Sequence, residues 1–232
     1  MGFVNQRIVS LHQKWWIVFL SAYGAFVFLP FVAPVFMHWN LNGLGKAVYF
    51  FYSFFCHQLP ERSLFFFGPK YMYSMKTIQS AWQNTTNPLI LRQFIGNPQM
   101  GWKIAWSDRM ISMYGGIWLA GLLWGILPRR PKQISFWVFI LLGIPIVLDG
   151  GTHFISDFSG LGAGYRYTND WLVILTNHAF TSSFYAGDAL GSFNSWMRWI
   201  TGFLFSFSLV WWSFPLLDEQ FGKNPLNGMV QK

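Results

Sequence analysis

The chain has 232 residues, of which 53% are hydrophobic, 21% are aromatic and only 10% are charged. Soluble domains carry about 25% charged residues, so this chain cannot cover a water-facing surface in the usual way. The composition excludes a soluble enzyme, a disordered tail and a coiled coil, and the length allows one membrane domain over residues 1–232. The formal net charge is +8, but the basic residues are scattered, which favours membrane lipids over nucleic acid as partners.

Four apolar segments are long enough to cross a bilayer, which takes about 20 residues in a helix. They cover about residues 15–37, 110–128, 134–156 and 199–217. The first segment resembles a signal peptide, but its apolar run is too long and no small-residue cleavage site follows it. The pattern therefore predicts an all-α, polytopic integral membrane protein with four transmembrane helices.

Two further apolar segments, at residues 47–56 and 171–184, are too short to span a bilayer. They predict one or two interfacial helices, which lie at the membrane surface or pack beside the spans. Between them, residues 68–108 contain several Pro, Gly, Asn and Gln residues and predict a loop.

Positive charge in the short connections predicts the orientation. Three basic residues lie in the turn at residues 129–132, between the second and third spans, and such turns stay in the cytoplasm. With four spans both termini are then cytoplasmic, in agreement with Arg7 and Lys223 near the chain ends. The connections 38–109 and 157–198 are predicted to lie outside. We expect the protein in a bacterial inner membrane.

This topology places polar side chains from four segments at one outer rim. They are Cys56, His57, Glu61 and Arg62 in the first connection, Arg109 before the second span, Asp149 and His153 in the third, and Arg198 before the fourth. Charges at a membrane edge are costly unless they are paired or hydrated. Asp108 and Asp149 are therefore the expected partners of Arg109 and Arg198.

A metal site is one interpretation of this cluster. Asp149, His153 and Asp157 have the spacing i, i+4 and i+8, which places them on one face of a helix. With His57 they would form a ligand set suited to a divalent metal such as zinc. Haem or chlorophyll is a further option for a lone histidine in a membrane bundle. The alternative is that Asp149 pairs with an arginine, His153 bonds to a backbone carbonyl and Asp157 is solvated.

The segment from Cys56 to Ser63, CHQLPERS, resembles the signature of an uncharacterised family of small prokaryotic membrane proteins, the domain of unknown function numbered 2085. Three later motifs match in the same order. The first of these motifs is represented here by Arg109, Tyr114 and Gly116, and the second by Asp149, Gly150, Gly151 and Thr152. The third is represented by Ser192, Asn194, Arg198, Thr201 and Gly202. The resemblance implies that Gln58, Thr152, Asn194 and Thr201 belong to the polar cluster.

The chain departs from the family pattern at the cysteines. Two family cysteines are replaced by Ser107 and Met110, and His153 stands where glutamine is usual. The insertion at residues 158–190 separates the last two motifs and is a candidate surface for another protein.

Two functions remain open. The preferred one is a non-catalytic accessory or assembly subunit of a larger membrane complex, with other membrane subunits and lipids as partners. The alternative is a metal-dependent membrane hydrolase acting at the outer leaflet, in which a metal-bound water attacks a lipid bond and an arginine binds the headgroup phosphate. A small transporter is the least favoured function. The sequence leaves open whether the chain is an enzyme.

Overall fold

The computed structural model of the chain describes residues 14–221. Arg7 and Lys223, which contribute to the predicted orientation, lie outside this range. In chain order the helices are α1 (Trp15–Phe28), α2 (Ala33–His38), α3 (Asn42–Tyr52), α4 (Met75–Ala81), α5 (Pro88–Leu91), α6 (Asp108–Met110), α7 (Gly116–Ile126), α8 (Phe136–Asp157), α9 (Tyr165–Thr168), α10 (Asp170–Leu175), α11 (Ser182–Tyr185) and α12 (Phe193–Phe221). The strands are β1 (Ser63–Phe66), β2 (Gly96–Asn97) and β3 (Gly101–Ser107).

Within the described range, three helical stretches are long and apolar enough to cross a membrane, as expected of a membrane protein. They are Trp15–His38, Phe136–Asp157 and Phe193–Phe221, and they coincide with the first, third and fourth predicted spans. The first stretch is not one regular helix. Pro30 and Pro34 lack the N–H that a continuous α-helix needs, so a 3-10 turn (Leu29–Phe31) separates α1 from α2.

The second predicted span is also helical, but it is built from consecutive pieces. Helix α6 leads into a π-helical segment (Ile111–Gly115) and then into α7, which has 11 residues. A π-helical turn changes the backbone hydrogen-bonding pattern and leaves carbonyl groups that need other donors. Here the Ser206 hydroxyl donates to the Met113 carbonyl at 2.6 Å and approaches the Ser112 carbonyl at 3.4 Å.

The long helices pack with α12 at the centre, against α8 and α7, while α1 packs against α7. At one end of the bundle, Trp15 Nε1 donates to Asp218 at 3.0 Å, and Asp218 pairs with Arg130. This end carries the short connection at residues 127–135. The two long connections, residues 39–107 and 158–192, lie at the opposite end, which we call the cavity end.

The prediction of a loop over residues 68–108 is wrong, because this segment contains two helices and two strands of a small antiparallel sheet of order β1-β3-β2. Phe65 pairs with Lys103, and Asn97 pairs with Gly101. The turn residues mark a tight hairpin: the Asn97 side chain accepts from the Met100 N–H at 2.8 Å, and Gly101 has φ +79°. The fold is therefore mostly helical with one small sheet.

The two short apolar segments form short helices. Helix α3 begins earlier than predicted and packs beside β3, where the Tyr52 ring lies 4.8 Å from that of Trp106. The Tyr52 hydroxyl also donates to the Phe26 carbonyl in α1 at 2.6 Å. The later segment is divided into α10 and α11. Aromatic packing thus fixes α3 and the sheet against α1 and positions the first connection.

Candidate functional site

A cavity of about 590 Å³ lies at the cavity end of the bundle. Its wall is formed by five segments: the first long connection, α6, α8, the second long connection and α12. The charged and nucleophilic lining residues are Cys56, His57 and Arg62 from the first connection, Asp108 and Arg109 from α6, His153 and Asp157 from α8, and Arg198 from α12. This volume is within the range of roughly 300–1,000 Å³ typical of small-molecule sites.

Asp149 anchors the cluster behind the cavity. Its side chain is 5% exposed and accepts from Nη2 of Arg109 at 2.7 Å and from Nη2 of Arg166 at 2.6 Å, one arginine on each oxygen. Charge-assisted bonds of this kind are about twice as strong as neutral ones. The aspartate therefore joins α8, α6 and the second long connection at one point.

His153 lies one turn further along α8, and its Nε2 is 3.1 Å from Nη2 of Arg166. A guanidinium group has donors but no acceptor, so this contact requires His153 Nε2 to accept. The imidazole is then neutral and carries its hydrogen on Nδ1. Within residues 14–221 that buried Nδ1 has no hydrogen-bond partner.

Arg198 is held by Asp108 through one nitrogen only. Its Nε donates to both carboxylate oxygens, at 2.8 and 2.7 Å, and both side chains are almost fully buried. Asp108 opens α6 and also accepts from the Arg109 N–H at 2.8 Å, which orients the carboxylate. The terminal nitrogens Nη1 and Nη2 of Arg198 have no partner in the described part of the chain.

The Glu-Arg pair of the CHQLPERS segment lies beside this cluster. Arg62 donates to both oxygens of Asp157 at 2.7 and 3.0 Å and lies 3.7 Å from Glu61. Glu61 is fully buried, 3.5 Å from the Tyr167 hydroxyl. Burial raises the pKa of the Glu61 carboxyl above its ordinary value, and the charge of Arg62 opposes that shift.

Cys56 is buried, and its sulfur faces backbone donors. The N–H groups of Gln58 and Ser107 lie 3.3 and 3.4 Å from Sγ. Gln58 has φ +55°, and its carbonyl accepts from Nζ of Lys103 at 2.6 Å. Lys103 is itself fully buried, and desolvation lowers its pKa to about 7. These contacts tie the CHQLPERS segment to β3.

The predicted metal ligands lie at or beside one cavity but do not form a coordination group. They are His57, Asp149, His153 and Asp157. Among residues 14–221, no group of three or more His, Cys, Asp or Glu side chains could hold a metal ion. Arginines bond to the carboxylates of Asp149 and Asp157, so the described residues do not fit a zinc site. The three α8 residues do share one unbroken helix, and Gly150 and Gly151 do not interrupt it.

The expected Arg–Asp pairs are present, whereas three other predicted residues bond elsewhere. The Thr152 hydroxyl donates to the Leu148 carbonyl at 2.8 Å and the Thr201 hydroxyl to the Met197 carbonyl at 2.7 Å, both within their own helices. Asn194 donates through Nδ2 to the carbonyls of Arg166 and Gly187. Asn194 thus fastens the second long connection to α12.

Arg166 is the main site residue that the sequence prediction missed. It lies in the insertion at residues 158–190, for which the sequence predicts only a surface for another protein. The sequence contains one signal for it: Arg166 is the only Lys or Arg between Lys132 and Arg198. A buried carboxylate such as Asp149, with two oxygens to satisfy, makes an isolated arginine in the facing connection a candidate partner.

No protein-family model matches the chain, and the resemblance to the domain of unknown function numbered 2085 stays a prediction. The chain is 24% identical over 223 residues to an uncharacterized protein of Methanocaldococcus jannaschii, and the match covers 91% of this chain and 97% of that protein. No solved structure matches the chain. The similarity to the archaeal protein extends through nearly the whole membrane domain and brings no activity with it.

Proposed function

We propose that the protein is an integral membrane protein with four spans that binds an anion in the cavity. The observation that carries this proposal is Arg198, whose two terminal nitrogens lack a partner within residues 14–221 although the residue is only 2% exposed. A planar guanidinium group with two free nitrogens matches the oxygens of a phosphate or carboxylate.

The other buried polar atoms of the cavity wall that lack a hydrogen-bond partner are also donors. They are Nε of Arg109 and Nδ1 of His153, both hydrogen-bond donors when His153 accepts through Nε2. Buried donors without acceptors are costly, by about 1–3 kcal/mol each. A ligand that offers only acceptors, as an oxyanion does, matches the chemistry of these donors.

The balance of charges in the cluster also favours an anion as the ligand. Arg62, Arg109, Arg166 and Arg198 are paired with only three aspartates, because Asp149 serves two arginines. The nearest further acid is Glu61, whose pKa is raised by burial. Whenever Glu61 is protonated, the four arginines face only three carboxylates, and one positive charge is left without compensation at a site where an unpaired charge is costly. A bound monoanion would neutralise it.

The single cysteine of the chain offers a direct assay, because Cys56 lines the cavity. We expect inorganic phosphate or phosphatidylglycerol to slow the reaction of Cys56 with a small methanethiosulfonate reagent by at least fivefold. Arg198→Lys keeps a charge beside Asp108 but loses the fork of nitrogens, and should lose the protection. Arg130→Lys, at the opposite end of the bundle, is the matched control.

Equal protection of the wild type and the Arg198→Lys variant by every anion tested would refute the proposal. Absence of protection by both probes would do the same. Circular dichroism of each variant in detergent would show whether a loss of protection reflects binding or unfolding. Because Arg198→Lys keeps a cation beside Asp108, we expect it to retain the wild-type helix content.

The four-span topology and its orientation are part of the proposal. The helical run from Met110 to Ile126 is apolar. It lies antiparallel to α1, because Gly125 is against Trp16 and Trp118 is against Phe28, and this arrangement supports a second crossing. We place the basic turn at residues 129–132 on the cytoplasmic side of an inner membrane, with both termini, and the cavity outside. An impermeant reagent that labels Cys56 only in opened vesicles or cells would contradict this orientation.

A second candidate is the accessory subunit of a larger membrane complex. Its support is the apolar surface of α10, where Ile174 and Leu175 are 78% and 74% exposed outside the predicted spans. A photo-cross-linker at Ile174 should then capture a discrete membrane protein in native membranes, and capture of lipid alone would argue against it. The hydrolase alternative has no metal-ligand set in residues 14–221 to support it.

A further inference from the structure

The cavity wall divides into two chemical halves. The first carries the unpartnered donors of Arg109, His153 and Arg198. Most of the exposed area of the wall is nevertheless apolar, and the apolar residues include Leu59, Met110, Phe154, Phe158 and Leu161, which lie among polar ones such as Arg62 and Asp157. A free phosphate or acetate would meet only the first half and leave most of the 590 Å³ unfilled.

The apolar half reaches the outer surface of the bundle along α8. Phe154 and Phe158 are one helical turn apart, their ring centroids are 4.9 Å apart, and they are 66% and 77% exposed. Only 11% of the most apolar part of α8 is buried inside the protein, against 28% for Trp15–His38 and 33% for α12, so α8 is the most peripheral of these three stretches. In a membrane this exposed face contacts lipid tails.

From this arrangement we infer that the ligand is an anionic membrane lipid, which reaches the cavity sideways past Phe154 and Phe158. The headgroup oxyanion binds to Arg198 and the neighbouring donors, and the first part of an acyl chain lies along the apolar wall. This inference rests on the proposed anion site and adds the source of the anion.

The size and chemistry of the wall fit such an amphiphile. Cavities of a few hundred Å³ bind ligands through a mostly apolar lining with a few convergent polar groups, and this one has that composition. Apolar contact also adds affinity steeply, by about fourfold for each buried methylene group. A lipid would therefore bind more tightly than a soluble anion that offers the same oxygens.

The test compares lipid and soluble anion in one preparation. The full chain is placed in phosphatidylcholine nanodiscs, with or without phosphatidylglycerol, and Cys56 labelling is timed with or without inorganic phosphate. We expect phosphatidylglycerol to slow labelling at least fivefold. The double variant Phe154→Ser, Phe158→Ser should lose most of that effect. Phe136→Ser, at the far end of the same helix and 50% exposed, is the matched control.

The outcomes separate the two proposals. If inorganic phosphate protects Cys56 and phosphatidylglycerol does not, the lipid inference is overturned while the anion site stands. If neither protects, both fail. If phosphatidylglycerol protects the double variant as well as the wild type, the route past α8 is wrong. Protection by phosphatidylglycerol that depends on both Arg198 and the two phenylalanines supports the inference.

Discussion

Asp149 should be the most sensitive position for stability, and we predict that Asp149→Asn destabilises the protein severely. The substitution keeps the size of the side chain and removes its charge. Arg109 and Arg166, 18% and 6% exposed at their side chains, would then lose the carboxylate to which both donate. The amide of asparagine has one acceptor oxygen and brings its own donors, so it cannot serve both guanidinium groups.

The magnitude follows from the burial of these partners. Removing one member of a buried ion pair costs about 3–5 kcal/mol, because the remaining charge stays buried without compensation. Two arginines are affected here, although Arg109 retains some contact with solvent. We therefore expect the free energy of unfolding to fall by about 3–5 kcal/mol.

Unfolding in mixed micelles of mild detergent and SDS, followed by tryptophan fluorescence, would measure this change. Asp218→Asn is the matched control, because it removes the same charge from a pair whose side chains are 35% and 26% exposed. Such exposed pairs contribute about 0–1 kcal/mol. Equal losses in the two variants would refute the view that Asp149 anchors the cavity end.

Three further outcomes are expected. The pKa of Lys103 is about 7 in the folded chain, below its value in the unfolded chain, so above pH 7 the folded chain binds fewer protons than the unfolded one. The free energy of unfolding should therefore rise from pH 7 to 10, and this rise should be absent in Lys103→Met. Gly202→Ala places a Cβ 2.0 Å from Ser112 Oγ and should cost about 1–3 kcal/mol, whereas Gly115→Ala meets nothing within 4 Å and should be nearly neutral in the same assay. Asn194→Ala frees two carbonyls of the second long connection, and hydrogen exchange of residues 158–192 should accelerate while that of α8 stays unchanged.

The apolar segments could be predicted from the sequence because a bilayer imposes a length that composition alone reveals. Helix α8 begins and ends within two residues of the predicted third span. The broken second segment could not be predicted, because its π-helical turn depends on a tertiary contact. Ser112 lies so close to Gly202 that a Cβ added to Gly202 would be 2.0 Å from the Ser112 hydroxyl. The residues around Ser112 in the sequence do not predict this contact between two helices.

The sheet was missed for a related reason. Gly96, Pro98 and Gly101 are typical of loops, but here they form the turn of a hairpin whose second strand buries Lys103, Ile104, Ala105 and Trp106. A buried lysine breaks the alternation that would mark a strand. Nζ of Lys103 is satisfied by two backbone carbonyls, at 2.6 and 2.8 Å, and those partners come from distant parts of the first connection.

The charged residues of the site could be predicted better than a metal site. Asp149 and Arg198 were placed by the rule that charges at a membrane edge need partners. The same residues also allowed a metal interpretation, with Arg–Asp pairing as its alternative, and the structure contains the pairs. Arg166, which the sequence analysis does not include, adds a second arginine to Asp149.

Substitutions at Asp149 and at Arg198 should distinguish residues that stabilise the fold from residues that bind the ligand. Asp149 is bonded by two arginines, so its loss leaves donors without acceptors inside the bundle. Arg198 is bonded by one aspartate through Nε alone, so a lysine at that position can keep the ion pair while the two free nitrogens disappear. Asp149→Asn should therefore unfold more easily, with any loss of ligand protection following from that. Arg198→Lys should stay folded and lose protection directly. If both variants lost stability equally and neither lost protection while folded, the network would be structural throughout, and the anion would have no site in it.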